Sequence, residues 1–191
     1  MPIGGVSIVV ITVAALTGTL KISEGISGFA NSAIWLIVGA FLFSRGFIKT
    51  GLGKRIAYNL ISAFGSSSLR LAYALALSDL ILAPATPSNT ARVGGVIMPI
   101  TTSLAKAFGS EPQDGPRKIG SFLMQSIYQV NTITSAMFQT SMAGNTLVAA
   151  LALQSFGIGI TWGDWAMAAI VPGIIALLIM PYFIYKVYPP E

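Results

Sequence analysis

The 191-residue chain carries only 9% charged residues against 54% hydrophobic ones, with a net charge of +5 and a mean hydropathy of +0.77. A soluble domain is about a quarter charged, so this composition excludes a surface solvated all round and indicates an all-α integral membrane protein. Without cysteine or histidine the chain has no disulfide or thiolate chemistry and lacks the commonest general base and metal ligand.

The first apolar zone runs from Ile3 to Leu20, about long enough to cross a bilayer. No basic segment precedes it, so it does not read as a cleaved signal peptide, and the chain reads as starting partway through something longer. The second zone spans Ser32 to Phe47. After it, RGFIKTGLGKRIAYNLISAFG (45–65) is basic and places Ile48, Leu52, Ile56 and Leu60 at helical spacing. It reads as an amphipathic helix lying in the cytoplasmic interface, with an ordinary loop as the alternative. Residues 1–70 thus supply scaffold-type helices.

The third zone, 71–105, must return to the side it left. Arg45, Lys49, Lys54, Arg55 and Arg70 precede it, and Lys106, Arg117 and Lys118 follow it. The excess of Lys and Arg marks both flanks, and the flank at Lys186, as cytoplasmic rather than as a nucleic-acid surface. Lys21, Glu24 and Asp164 then lie outside. Each limb has about 17 residues, near the lower limit for crossing. The turn PATPSNT (84–90) holds two prolines, which prevent regular helix. A re-entrant hairpin with its tip at membrane depth fits, covered by protein or a water-filled cavity. A plain two-helix hairpin is the alternative.

The tip carries Ser88, Asn89 and Thr90, which are favoured helix caps. A half-helix starting there directs free N–H groups and a positive dipole end at the membrane centre. That end attracts a carboxylate or phosphate, and the tip oxygens could coordinate Na⁺, as discontinuous helices do in secondary transporters. Simple capping is the alternative. Asp79 and Arg92 are charges inside the same zone, each a functional-site hypothesis in a membrane. Arg92 could hold a substrate carboxylate, stand in for a coupling cation, or pair with Asp79 on the other limb.

The fourth zone, Ile119 to Tyr185, contains polar residues that lipid would not accommodate. Gln125, Gln129 and Asn131 read as packing glue between helices. Gly144, Asn145 and Thr146 read instead as a break in a transmembrane helix spanning 118–156, with unwound backbone offering carbonyl oxygens. A last helix covers 165–186. Residues 71–191 then make up hairpin, broken helix and closing helix. No nucleophile–base pair can be assembled, so an enzyme is not expected.

Three stretches, GAFLFSRGFIKTGLGKRIAY (39–58), TPSNTARVGG (86–95) and SAMFQTSMAGN (135–145), resemble the divalent anion:sodium symporter family. The likeness is closest to its citrate, tartrate, succinate and 2-oxoglutarate/malate exchanger branch, from about residue 30 to the end. The resemblance implies a di- or tricarboxylate carrier of a bacterial cytoplasmic membrane, dimeric in its complete form and moving as an elevator. Residues from about 71 would form half of the moving domain. Ser88, Asn89, Thr90, Gly144, Asn145 and Thr146 would line one substrate and cation site, with Na⁺ at Ser88, Asn89 and Gly144. Arg92 would replace the charge of sodium in an exchanger. No organic cofactor is implied. The family has two inverted repeats, each with such a tip, and this sequence shows one, so it reads as one repeat half lacking its partner half. A membrane assembly subunit without transport is the competing reading.

Overall fold

Long apolar runs within lipid carry backbone N–H and C=O groups that helix can satisfy internally. The computed structural model describes residues 2–115 and 117–191, apart from the side chains of Ala33 and Phe47, and shows helices and no strand among them. Helix α1 (Ile3–Leu16) has 14 residues, about 21 Å at 1.5 Å per residue. It stops short of Leu20, where the first apolar zone ends, because Gly18 turns the chain with φ 70°. Two single turns, α2 (Ile22–Gly25) and Ser27–Ala30, lead into α3 (Ser32–Lys49).

The continuous amphipathic helix expected over 45–65 is two pieces. Arg45 to Lys49 complete α3. Gly51 then takes a left-handed φ of 69°, and α4 (Leu52–Phe64) starts afresh. A residue with a Cβ avoids that conformation, so the glycine sets the corner. Helix α4 buries Gly53 and Ala57 against the core and leaves Lys54 and Arg55 exposed.

The third zone folds as a helical hairpin. Helix α5 (Ser68–Leu82) is capped by Ser67, whose hydroxyl accepts from the Arg70 amide at 3.4 Å. A short turn (Ala83–Ala85) and extended residues follow, and the return limb then begins with α6 (Asn89–Arg92). It widens into a π turn over Val93–Ile97 and continues as α7 (Met98–Ala107). Pro99 has no N–H to return to the carbonyl four residues back. Such widened turns frequently accompany functional sites.

Helix α8 (Gly120–Met137) and α9 (Ala143–Phe156) are separated by a five-residue interruption. The sequence pointed to Gly144–Asn145 as the break; the backbone departs from helix earlier, at Phe138 and Met142, both extended. Gly144 and Asn145 lie in the first turn of α9 instead, where Asn145 caps the interruption. Helix α10 (Trp162–Val187) starts three residues before the expected 165, because Thr161 and Asp164 form a capping box. The Asp164 amide donates to Thr161 Oγ1 at 3.2 Å, and the Thr161 amide donates back to Asp164 Oδ2 at 3.0 Å.

Leu75, Leu82, Ile97, Ile100, Phe122 and Leu123 form the centre of the core, between α5, the return limb and α8. Helix α10 closes it at Ile184. A second cluster joins Ala76, Val130, Met137 and Leu177. There α8 meets α10 so closely that a Cβ on Gly173 would lie 2.6–2.7 Å from the Met137 side chain. Small residues permit such approaches between membrane helices. Residues 65–68, Phe108, Lys118 and Glu191 line one shared recess, which gathers at one end the segments whose charge marks them as cytoplasmic. Helix α10 and the stretch Ser68–Ala85 are long and apolar enough to cross a membrane. Helices α1, α3 and α10 expose Ile8, Trp35, Leu42, Phe43, Leu178 and Phe183. An apolar surface of that extent calls for lipid or protein contact.

Candidate functional site

Two interruptions of helix meet in this fold. At the hairpin tip, Thr86 and Ser88 are extended. The Ser88 hydroxyl accepts from the Ala91 amide at 3.2 Å, and Asn89 Oδ1 accepts from the Thr90 amide at 2.9 Å. Ser88 and Asn89 are half-buried, and Thr90 is exposed.

The second interruption follows α8. An ended helix leaves its last carbonyls without partners. Asn145 Nδ2 donates to the carbonyls of Ser135 (2.7 Å) and Phe138 (2.9 Å), and Ser141 Oγ donates to Ser135 at 2.6 Å. Asn145 thus holds the break open from the start of α9. Gly144 beside it is half-buried. Thr146 is buried and turns its hydroxyl back to the Gln139 carbonyl at 3.2 Å.

Backbone and side chain tie the two interruptions together. The Ala143 amide donates to the Pro87 carbonyl at 3.0 Å, and Thr140 Oγ1 donates to the Pro84 carbonyl at 2.8 Å. The helical runs beginning at Asn89 and at Ala143 therefore start side by side. Trp162 braces the pair, stacking on Phe138 and donating from its indole to Thr140 Oγ1 at 3.1 Å.

Behind the tips lies a buried ion pair. Arg92 is 0% exposed and Asp79 2%, with Nε donating to Oδ1 at 2.8 Å. The other guanidinium donors go to the carbonyls of Thr86 (3.2 Å) and Ser141 (3.3 Å) and to the hydroxyls of Thr134 and Ser135 (both 3.2 Å). The second Asp79 oxygen accepts from Thr134 Oγ1 and from Asn131 Nδ2, the latter at 3.4 Å. Of the three readings the sequence left open for Arg92, pairing with Asp79 is the one present here.

Ser88, Asn89, Gly144 and Asn145 are thus brought to one place, with Arg92 directly behind. Gln125 and Gln129 are not; they line a groove of about 580 Å³ with Met180, Ile184 and Tyr188. The sequence reading missed Thr134, Ser135 and Ser141 as partners of Arg92. The hydroxyls of Thr134 and Ser135, just before and at the start of SAMFQTSMAGN, were a signal for two of these, whereas Ser141 takes part through its backbone carbonyl. Among the described residues no cluster of three or more acidic, His or Cys side chains suits a divalent or transition metal.

The family described as "Sodium:sulfate symporter transmembrane region" matches residues 1–191, so the likeness extends further toward the N-terminus than residue 30. A Bacillus subtilis protein provisionally named a malate transporter is 57% identical over 100% of this chain and 40% of its own length. A chloroplast dicarboxylate transporter of Spinacia oleracea is 48% identical, over 100% of this chain and 34% of its own. The L-tartrate/succinate antiporter of Escherichia coli is 44% identical over 89% of this chain and 35% of its own length. The chain therefore spans roughly a third to two-fifths of these relatives. It belongs to the sodium:sulfate symporter, or divalent anion:sodium symporter, family of transporters and is an integral, multi-pass membrane protein.

Proposed function

We propose that this chain is one repeat half of a secondary transporter for di- or tricarboxylates of the succinate, malate, 2-oxoglutarate and citrate class. The observation that carries the reading is the hydrogen bond from the Ala143 amide to the Pro87 carbonyl, 3.0 Å. It sets two helix starts and the polar side chains Ser88, Asn89 and Asn145 beside one another in an otherwise apolar protein. The positive dipole end of a helix start favours carboxylates electrostatically. The names of the relatives point to the same substrate class.

The hairpin is re-entrant in this reading. Ser68–Ala85 has 18 residues and α10 has 26, so the first limb rises about 27 Å against about 39 Å for α10. The first limb begins and α10 ends at the recess lined by Ser66–Ser68 and Glu191. Trp162 at the start of α10 donates to Thr140 Oγ1, and that hydroxyl donates to the Pro84 carbonyl, so the re-entrant reading rests on the prolines and polar side chains of the tip and not on limb length. The tip and the interrupted α8–α9 segment would move together against α1 to α4, as an elevator. A second repeat would supply the facing half of the site, and two complete copies would form a dimer in a cytoplasmic membrane.

Ser88 Oγ accepts from one backbone amide and so retains a lone pair, while Asn89 Oδ1 accepts from the Thr90 amide at 2.9 Å and from the Thr90 hydroxyl at 3.5 Å. Neutral oxygens of this kind suit Na⁺ as a coupling ion, with Gly144 contributing backbone. Exchange without Na⁺ is the favoured mode, in line with the name of the antiporter among the relatives. Ser88→Ala and Asn89→Ala, made in the full-length protein, are expected to lower labelled succinate or malate uptake into proteoliposomes by about tenfold or more each. Uptake unchanged in both variants would exclude the tip as the binding site.

A further inference from the structure

We propose that Asp79 and Thr134 are positioning residues that act through Arg92, locking the hairpin tip to the α8–α9 interruption and keeping the guanidinium off the substrate. The inference rests on the carboxylate reading above and goes beyond it. A guanidinium has five N–H donors in a rigid planar fork, and all five of those on Arg92 have protein partners. Two of the partners are the carbonyls of Thr86 and Ser141, at 3.2 and 3.3 Å from the same nitrogen. Thr86 belongs to the hairpin and Ser141 to the interruption after α8. One nitrogen therefore fixes the spacing of the two elements that carry the site.

Asp79 sets the direction of that fork. Its Oδ1 holds Nε, and its Oδ2 is held in turn by Thr134 and Asn131 of α8. Thr134 also accepts from Arg92, so acid, hydroxyl and guanidinium form a closed ring of contacts. A swing of Arg92 toward substrate would strand a carboxylate only 2% exposed. Stranding a buried charge is strongly unfavourable. Arg92 thus shapes the site by geometry, as groups supporting a binding constellation do.

The alternative, Arg92 as a direct substrate ligand restrained by Asp79, makes the opposite prediction. Freed by Asp79→Asn, a ligand arginine binds carboxylate more tightly, whereas a brace without its anchor lets the tips drift and weakens binding. The experiment measures labelled succinate affinity and the KM and maximal rate of uptake for the full-length protein and for Asp79→Asn, Asp79→Glu, Arg92→Lys and Thr134→Val. Variants are compared when their helix content and elution profile match the parent. Asp79→Asn and Arg92→Lys are expected to raise Kd and KM about tenfold or more, with maximal rate less affected, and Asp79→Glu to recover part of the loss. Thr134→Val removes one hydroxyl at nearly constant volume; it is expected to weaken binding severalfold and carries the test if the charge variants do not fold. Tighter or unchanged binding in Asp79→Asn overturns the proposal, as does unchanged binding in Thr134→Val. No binding or uptake by the unmodified full-length protein would overturn the carboxylate reading itself.

Discussion

Arg92→Leu is expected to destabilise the protein by about 3–5 kcal/mol, the cost of leaving a buried charge without its partner. Asp79 would remain 2% exposed, with only Thr134 and Asn131 to receive its charge. The carbonyls of Thr86 and Ser141 would lose their guanidinium donor as well. Adding Asp79→Leu removes the stranded charge but not the stranded carbonyls. The double variant should therefore be less destabilised than the sum of the singles by about 0.5–3 kcal/mol. Thermal unfolding in detergent, followed by circular dichroism, measures both. Strict additivity would mean that the pair is not coupled energetically despite its 2.8 Å contact.

Asn145→Leu is expected to have the next largest effect, on stability and transport together. One amide nitrogen serves the carbonyls of Ser135 and Phe138, at 2.7 and 2.9 Å. A leucine fills similar volume without a donor, and each buried unsatisfied carbonyl costs about 1–3 kcal/mol. Ser141 Oγ still reaches the carbonyls of Ser135 and Phe138, and the Ser141 amide reaches that of Phe138, so the smaller end of that range applies to both. The break between α8 and α9 should then shift, displacing Ala143 from Pro87. Hydrogen exchange at the Ala143 amide is the local readout: faster exchange in Asn145→Leu is expected, and unchanged exchange would show that Asn145 does not hold the interruption.

The broad architecture was legible because composition and charge act over long stretches. Low charge required lipid, the Lys and Arg positions required the third zone to return, and the two prolines of PATPSNT required a turn between helical limbs. Local geometry was less legible. Gly51 divides α3 from α4 inside a stretch whose apolar spacing alone suggests one helix. Gly144 and Asn145 look like a break, yet they begin a helix, since Asn145 works by reaching back seven and ten residues to carbonyls already left behind. Arg92 posed a different difficulty. Its charge was conspicuous, but its five partners lie on the first hairpin limb, at the tip, on α8 and in the interruption, and no local pattern encodes such a meeting. The hydroxyls of Thr134 and Ser135 carried the hint, since polar groups in an apolar zone imply partners, whereas Ser141 meets Arg92 through its backbone carbonyl, which no side chain signals.

The juxtaposed tips also give a reason why a chain that spans about a third of its relatives' length can hold both interruptions in place. The core of α5, the return limb and α8 positions both interruptions, and the ion pair joins them. The most direct measurement of the central claim is counter-transport in malate-loaded proteoliposomes, with labelled 2-oxoglutarate or succinate supplied outside, with and without external Na⁺. The chain alone would be compared with the full-length protein that contains it. The account predicts uptake by the full-length protein, dependent on internal malate and independent of Na⁺, and none by this half alone. Absence of uptake in both preparations, with correct insertion verified, would contradict it and favour a membrane assembly role.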